Sequence, residues 1–267
     1  MKSTYIYKRI NNSDRTFVAV TCKNCGKKVE KKYCSECGQS VRISRINFSF
    51  ILFDIQDGFI HANKGIFYTI KRLLINPGKM VREYLQGKRV KHFKPLSLLI
   101  LVSALYMVFF RYVFNFGSVN TIEVVDSEQL SSFFRWLFNN KAIYEILLIL
   151  LTSVLTFVLY KKHYNYNFIE HIIINTYGAS LRILVHFFFL FFVKLEVVLG
   201  LDLNVNIIEY LITSYVFFWF YITFFNRSTK LSVIIKSLVT ILGIIVTLII
   251  LTGLIFLNSK GMVNFDL

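Results

Sequence analysis

The pattern of apolar and polar positions divides the chain near residue 95. From there on, five mainly apolar runs approach the roughly 20 residues that a helix needs to cross the hydrocarbon core of a bilayer. They are residues 95–114, 142–160, 172–193, 207–225 and 233–257. The pattern predicts an all-α integral membrane protein, with about five transmembrane helices forming a helical membrane domain over residues 95–267.

The residues before this domain, 47–94, carry shorter apolar faces at helical spacing, interrupted by lysine and arginine. The pattern predicts helices over residues 48–59, over residues 66–74, and from Pro77 to Gln86, the last with Asn76 as N-cap and Gly87 after its end. Short basic amphipathic helices next to a membrane span are typical of the membrane interface. The alternative is a small soluble helical domain that buries the same faces internally.

Four cysteines form two C-x2-C-G units, Cys22 to Gly26 and Cys34 to Gly38. Two such turns can bring four thiolates to one tetrahedral zinc ion. We therefore predict a zinc ribbon over residues 22–46, following an N-terminal extension over residues 1–21, with structural zinc bound by Cys22, Cys25, Cys34 and Cys37. The alternatives are two disulfides or free thiols.

The first residues lack the apolar segment of a secretory signal peptide, so we expect the N-terminus to stay cytoplasmic, where disulfides are disfavoured. Lysines surround the cysteines between Lys23 and Lys32. They favour the thiolate forms and offset the charge of a zinc ion bound by four thiolates. They could contact nucleic acid, but a solvated face beside anionic lipid is the simpler interpretation, so we do not expect a nucleic-acid partner.

Composition and charge agree with a membrane location. The 267-residue chain is 55% apolar with a mean hydropathy of +0.55, and its net charge of +16 is concentrated before residue 95. Basic loops stay on the cytoplasmic side, which predicts a cytoplasmic N-terminus and an external C-terminus. The stretch from Asn76 to Pro95 should hold the ribbon against anionic inner-leaflet lipids through Lys79, Arg82, Lys88, Arg89, Lys91 and Lys94.

Polar residues recur inside the third apolar run at steps of three and four, which places them on one stripe of a helix. The stripe contains His171, Asn175, Arg182 and His186, with Glu170 at its start. An ionisable residue inside a membrane is costly and normally faces the bundle interior. The stripe is either a polar seam for an anionic headgroup, a small solute or protons, or a structural feature in which Arg182 pairs with an acid or a carbonyl.

Several motifs together resemble a known family. They are C-K-N-C-G with Y-C-S-E-C-G-Q, I-K-R-L-L-I-N-P-G, Y-L-Q-G-K-R with F-K-P, and F-I-E-H-I-I-I-N. They resemble a bacterial family of uncharacterised multi-pass membrane proteins with an N-terminal zinc ribbon, classed as a domain of unknown function. The resemblance implies an inner-membrane location and zinc, and it supplies no activity.

No nucleotide-binding, zinc-protease or serine-hydrolase motif is found in the sequence, so we do not expect an enzyme. The leading hypothesis is a scaffold or regulatory protein whose ribbon and basic helices bind a protein partner or anionic lipid, alone or as a homo-oligomer. A second is a small-solute or lipid transporter or channel that uses the polar seam. A third, a nucleic-acid-binding membrane anchor, predicts strongly salt-dependent binding by residues 1–46.

Overall fold

The computed structural model describes residues 20–41, 43, 45–48, 50, 65–115, 141–200 and 205–259. Most of the predicted helix over residues 48–59 and most of the N-terminal extension lie outside these residues. The described part is mostly helical, with a small antiparallel hairpin at its N-terminal end.

The hairpin pairs β1, Val20–Thr21, with β2, Lys28–Val29. The first helices, α1 (Gly65–Ile75) and α2 (Pro77–Leu85), are short and separated by Asn76. The helix α2 begins as the sequence predicts. The Asn76 side chain accepts a hydrogen bond from the Lys79 N–H, and Pro77 at the first position has no N–H that would need an acceptor. It ends before Gly87, whose φ of 100° is in the left-handed region.

Longer helices follow at each of the five apolar runs. They are α3 (Pro95–Asn115), α4 (Lys141–Tyr160), α5 (Phe168–Leu199), α6 (Val205–Phe224) and α7 (Lys230–Ser259). Helix α5 is longer than predicted at both ends, because the Asn167–Glu170 capping box starts it early and Gly200 ends it in the left-handed conformation.

Helix α5 lies at the centre of the helical body, in contact with α3, α4 and α6, while α7 packs on α4 and α6. The α1–α2 pair covers one end of the body, with α2 against the end of α6. Aromatic side chains fill the core there. The rings of Tyr160 and Phe225 stack with centroids 3.7 Å apart, and Tyr84 meets Tyr177 edge-on at 5.4 Å.

Within the described residues, Phe168–Glu196 and Ile207–Phe224 are long and apolar enough to cross a membrane. The apolar stretches Pro95–Phe110 and Glu145–Tyr160 are shorter. Large apolar side chains on the helices point outwards, including Val108, Val158, Phe191, Leu211 and Leu238. A protein in water rarely exposes so many neighbouring apolar residues.

Candidate metal centre and polar seam

The two C-x2-C-G units fold into the same tight turn. In the first, the Gly26 N–H donates to the Cys22 carbonyl at 2.9 Å and the Cys22 N–H donates to that of Lys27 at 2.8 Å. In the second, the Gly38 N–H donates to the Cys34 carbonyl at 2.8 Å and the Cys34 N–H donates to the Gln39 carbonyl at 2.9 Å. Both glycines have φ near +75°, at 77° and 74°, which explains why glycine follows each second cysteine.

The turns bring the four sulfur atoms of the predicted cysteines together, all within 4.8 Å of one another. The closest pairs join the two turns, with Cys22 Sγ 3.6 Å from Cys37 Sγ and Cys25 Sγ 3.5 Å from Cys34 Sγ. A tetrahedral ion with metal–sulfur bonds of about 2.3 Å places its sulfurs about 3.8 Å apart. The four thiols are free, and their spacing fits one tetrahedral metal ion.

The backbone prepares one of these thiols for metal binding. The N–H groups of Cys37 and Glu36 hydrogen-bond to the Cys34 sulfur and lower the pKa of Cys34 to about 7. A thiolate is the form that binds a metal, so a lowered pKa favours binding near neutral pH. Cys22 and Cys34 are buried, whereas Cys25 lies at the surface.

The cysteine-bearing unit is attached to the turn that follows α2. The Arg89 N–H donates to the buried Gln39 side chain at 3.1 Å. The Lys23 side chain, which donates to the Ile43 carbonyl within the same unit at 3.3 Å, lies against Gly87 in this turn. Gly87 leaves room for this contact, since a Cβ there would lie 2.9 Å from Lys23 Cδ. The unit therefore rests on the basic stretch that the sequence singled out.

A second attachment reaches the first turn of α5. The Arg45 guanidinium binds Glu170 through two hydrogen bonds, at 2.9 and 2.7 Å, and the Asn167 side chain donates to the Ile46 carbonyl at 2.9 Å. Glu170 also accepts from the Asn167 N–H at 2.8 Å and so completes the capping box. Its hydrogen bond with Arg45 raises the pKa of that guanidinium. Glu170 thus belongs to the docking contact and the helix cap.

The basic stretch divides into residues that bind protein and residues that face outwards. Arg82 donates to the Thr223 and Phe224 carbonyls at the end of α6, where cations stabilise a helix, and burial lowers the pKa of its guanidinium. Arg89 lies 4.6 Å above the Phe50 ring, and Lys88 lies 3.7 Å from Glu83. Of the rest, Lys94 is half-buried, and Lys79 and Lys91 are exposed.

The N-P-G sequence at the start of α2 has a packing role. A Cβ on Gly78 would lie 2.2 Å from the Thr223 carbonyl carbon and 2.3 Å from the Phe224 nitrogen. Only glycine permits this approach between two backbones. The same glycine places Arg82, one turn later, within reach of the α6 carbonyls.

Glu170 belongs to the ribbon contact, and the other residues of the predicted polar seam separate into two parts. In the inner part, Asn175 donates to Ser153 and Thr156 on α4, each at 3.1 Å, and accepts from Tyr221 on α6. His171 Nδ1 lies 3.1 Å from the Thr156 hydroxyl. These groups are buried, and their hydrogen bonds join three helices through one amide.

The outer part of the seam consists of an arginine–glutamate ion pair and a histidine–glutamate contact. Arg182 binds Glu145 on α4, and His186 lies against Glu209 on α6. All four side chains are partly exposed. The arrangement matches the structural interpretation of the stripe, in which the arginine pairs with an acid.

A small cavity of about 60 Å³ lies between the two parts of the seam. Its polar lining comes from Thr152, Asn175, Arg182, Thr213 and Tyr221, and its other walls are apolar. The Thr213 hydroxyl oxygen is buried and has no hydrogen-bond partner among the described residues. Such a volume suits a few water molecules or a solute of a few heavy atoms.

Sequence reasoning missed several contributors. Tyr221 had the pattern of an anchoring or packing aromatic, and it is the donor that holds Asn175. Thr152, Ser153 and Thr156 could have been found, because three hydroxyl residues at helical spacing interrupt an otherwise apolar run. The role of Arg45 could not be inferred from the local sequence, since its partner Glu170 is 125 residues away in the chain.

The described residues define a mostly helical protein, in which two helices are long and apolar enough to cross a membrane and four cysteines could hold a metal ion. Residues 63–107 match the model of the family described as a protein of unknown function, DUF3667. This range contains α1, α2, the basic stretch and the first part of α3. No curated protein and no solved structure matches the chain.

Proposed function

We propose that the chain is a multi-pass membrane protein of a bacterial inner membrane in which α3 to α7 each cross the bilayer. All five helices coincide with the apolar runs, and each has about 20 residues or more. The positive-inside rule places the basic N-terminal region, with α1 and α2, in the cytoplasm and the C-terminus outside. The family match over α1 to α3 supports treating these helices as one unit.

The cysteine cluster is proposed to bind one structural zinc ion. Four thiolates in a tetrahedral arrangement are a donor set that zinc prefers, and all four positions would be filled by protein. The ribbon has a very small apolar core, in which Val29 packs with Cys22 and Cys34. A unit of this size depends on its metal to fold.

The proposed role is that of a scaffold or regulatory protein, in which the ribbon presents a binding surface at the cytoplasmic face of the membrane. The observation that carries this proposal is the double attachment of the ribbon, to the turn after α2 through Gln39 and to α5 through Arg45. A unit attached at two points is held in a fixed place. On its outer surface, the described residues Lys27, Lys28, Lys31, Lys32 and Tyr33 are exposed. This surface is proposed to bind an acidic partner protein.

Affinity purification in a mild detergent tests this role. The full-length protein should recover a specific protein, and replacing Cys34 and Cys37 with Ser should abolish its recovery while the variant still inserts into the membrane. Ser35→Ala, an exposed change in the same turn, is the matched control and should keep the partner. Unchanged recovery by the double cysteine variant would reject the ribbon as the binding surface.

The cavity supports a second candidate function, passage of a small polar solute along the α4–α5–α6 seam. Arg182 beside Glu145 leaves no net charge at the cavity, so the solute would be neutral. Vesicles containing the purified protein should then transport small neutral solutes, and Arg182→Leu should stop this flux. Flux equal to that of empty vesicles would reject the transport function.

A further inference from the structure

The helix α1 presents an apolar face that no described part of the protein covers. Phe67 is 84% exposed, Leu74 48% and Ile75 60%. Their spacing of seven and eight residues places them on one side of the helix, while Thr69 and Leu73 are buried on the other. Three large apolar side chains in water on an 11-residue helix are unfavourable, which points to an apolar environment on this side.

The charges around this face are positive. Lys71 lies one helical turn after Phe67, and the exposed Lys79 follows in the first turn of α2. Helix α1 has no acidic residue, and the nearby Glu83 is engaged by Arg72 at 3.6 Å. An apolar face with basic residues along its length is complementary to an anionic bilayer surface.

The position of α1 places this face at the end of the helical body. The Phe93 N–H donates to the Thr69 hydroxyl at 2.7 Å, which fixes α1 beside the start of α3 at Pro95. The neighbouring α2 contacts the last residues of α6. Beyond Pro95, the outer side of α3 continues with exposed Ile100 and Leu105. Helix α1 therefore lies beside the point where α3 enters the membrane in the proposed topology.

We propose that Phe67, Leu74 and Ile75 insert into the inner leaflet, and that Lys71 and Lys79 bind the headgroups of anionic lipids. The inference rests on the membrane location proposed above and identifies the partner of this particular surface. It differs from the proposed role of the ribbon, whose exposed lysines face a protein. The contact would set the depth at which α1, and the ribbon attached after α2, sit on the membrane.

Fluorescence quenching by brominated lipid tests the proposal with the full-length protein in lipid nanodiscs. The probe is a Phe67→Trp variant in a background where Trp136 and Trp219 are replaced by Phe. The nanodiscs contain either brominated phosphatidylglycerol or brominated phosphatidylcholine at the same mole fraction. We expect both lipids to quench the probe, phosphatidylglycerol more strongly. The same background with Tyr33→Trp, an exposed site on the ribbon, should show much weaker quenching.

Charge reversal tests the headgroup contact. Adding Lys71→Glu and Lys79→Glu to the Phe67→Trp variant should remove the preference for phosphatidylglycerol. The same charge change at Lys27 and Lys28 on the ribbon should leave the preference intact. Equal quenching by the two lipids in the unmodified probe variant would overturn the headgroup assignment.

Two further outcomes would overturn insertion itself. An unquenched probe with the emission of a water-exposed indole would mean that the face contacts solvent. An unquenched probe with blue-shifted emission would mean that a protein, either a partner or a second copy of the chain, covers it. Carbonate extraction of membranes tests the proposed membrane location separately from the insertion of this face. A protein that does not span the membrane would be released by carbonate, whatever the probe at position 67 shows.

Discussion

Single residues in this protein act mainly by joining elements that are far apart in the chain. Gly78 lets the backbones of α2 and α6 touch, Arg82 binds the free carbonyls at the end of α6, and Arg45 connects the ribbon to α5. None of these contacts is visible in the local pattern of the sequence. All of them lie where the α1–α2 pair and the ribbon meet the long helices, so substitutions there should affect the whole assembly.

Gly78→Ala should destabilise the protein, although alanine is the better helix former by about 0.5–1 kcal/mol. The added Cβ meets backbone atoms that cannot move aside as a flexible side chain could. Forced separation of packed elements costs about 1–3 kcal/mol, occasionally more. Thermal unfolding of the purified protein in detergent should therefore shift to lower temperature. Lys79→Ala, an exposed change at the next position, should leave it nearly unchanged.

His92 should make the protein less stable in mild acid. Its ring is buried between Tyr68 and Tyr84. Burial lowers the pKa of His92 below its ordinary value, outweighing the attraction of Glu83. The neutral ring is therefore favoured in the folded state, so its contribution is complete above about pH 6.5 and is lost as the pH falls below that value.

Thermal unfolding between about pH 7.5 and pH 5.5 checks this prediction, because ordinary carboxylates change little in that range. His92→Gln removes the titrating group at the same position and should flatten the pH dependence. If the wild type and His92→Gln lose stability equally on acidification, the assignment to His92 is wrong.

Among the elements, α5 has the largest role. It packs against three other long helices and carries both parts of the polar seam, and its first turn receives the ribbon. The seam joins α5 to α4 and α6 through hydrogen bonds and ion pairs among apolar surfaces. Polar contacts of this kind between membrane helices are each worth about 0.6–2 kcal/mol. They fix which faces of the three helices meet.

The Arg182–Glu145 pair should behave as a coupled unit. Arg182→Leu alone leaves Glu145 without its partner among apolar residues, so it should destabilise the helical body more than the double change Arg182→Leu with Glu145→Leu. Unfolding in a mixed detergent series measures Arg182→Leu, Glu145→Leu and the double variant against the wild type. Additive effects of the two single changes would show that the two side chains are not coupled.

Much of the helical fold could be predicted from the sequence, because long apolar runs and the Asn76, Pro77 and Gly87 signals depend only on nearby residues. The same holds for the cysteine cluster, whose two turns are local and repeated. The division of the seam could not be predicted. Glu170 belongs to the ribbon contact and Arg182 to an ion pair because of neighbours on other elements, which a stripe on one helix does not reveal.

At the scale of the whole molecule, the ribbon and the helical body form one connected structure. The ribbon holds Gln39 and Arg45 in position, and these side chains meet the turn after α2 and the cap of α5. A metal ion in the cysteine cluster would stabilise the ribbon and thereby both contacts. Metal occupancy should then affect residues well beyond the four cysteines.

Chelation of the metal should expose this connection. Hydrogen exchange measured by mass spectrometry should accelerate throughout residues 20–41, and also in the first turn of α5, where Glu170 loses Arg45. The centre of α5 should exchange as before, because the long helices do not depend on the metal. Faster exchange confined to residues 20–41 would contradict the connection to the helical body.

We propose that a metal-binding ribbon is carried by a helical body integrated in a membrane. Both parts of this arrangement can be checked by metal analysis of full-length protein purified from carbonate-washed membranes. We expect about one zinc ion per chain in the wild type and almost none in a Cys34→Ser, Cys37→Ser variant that is still retained in the washed membranes. Release of the wild type by carbonate, or equal metal content in the two proteins, would contradict it.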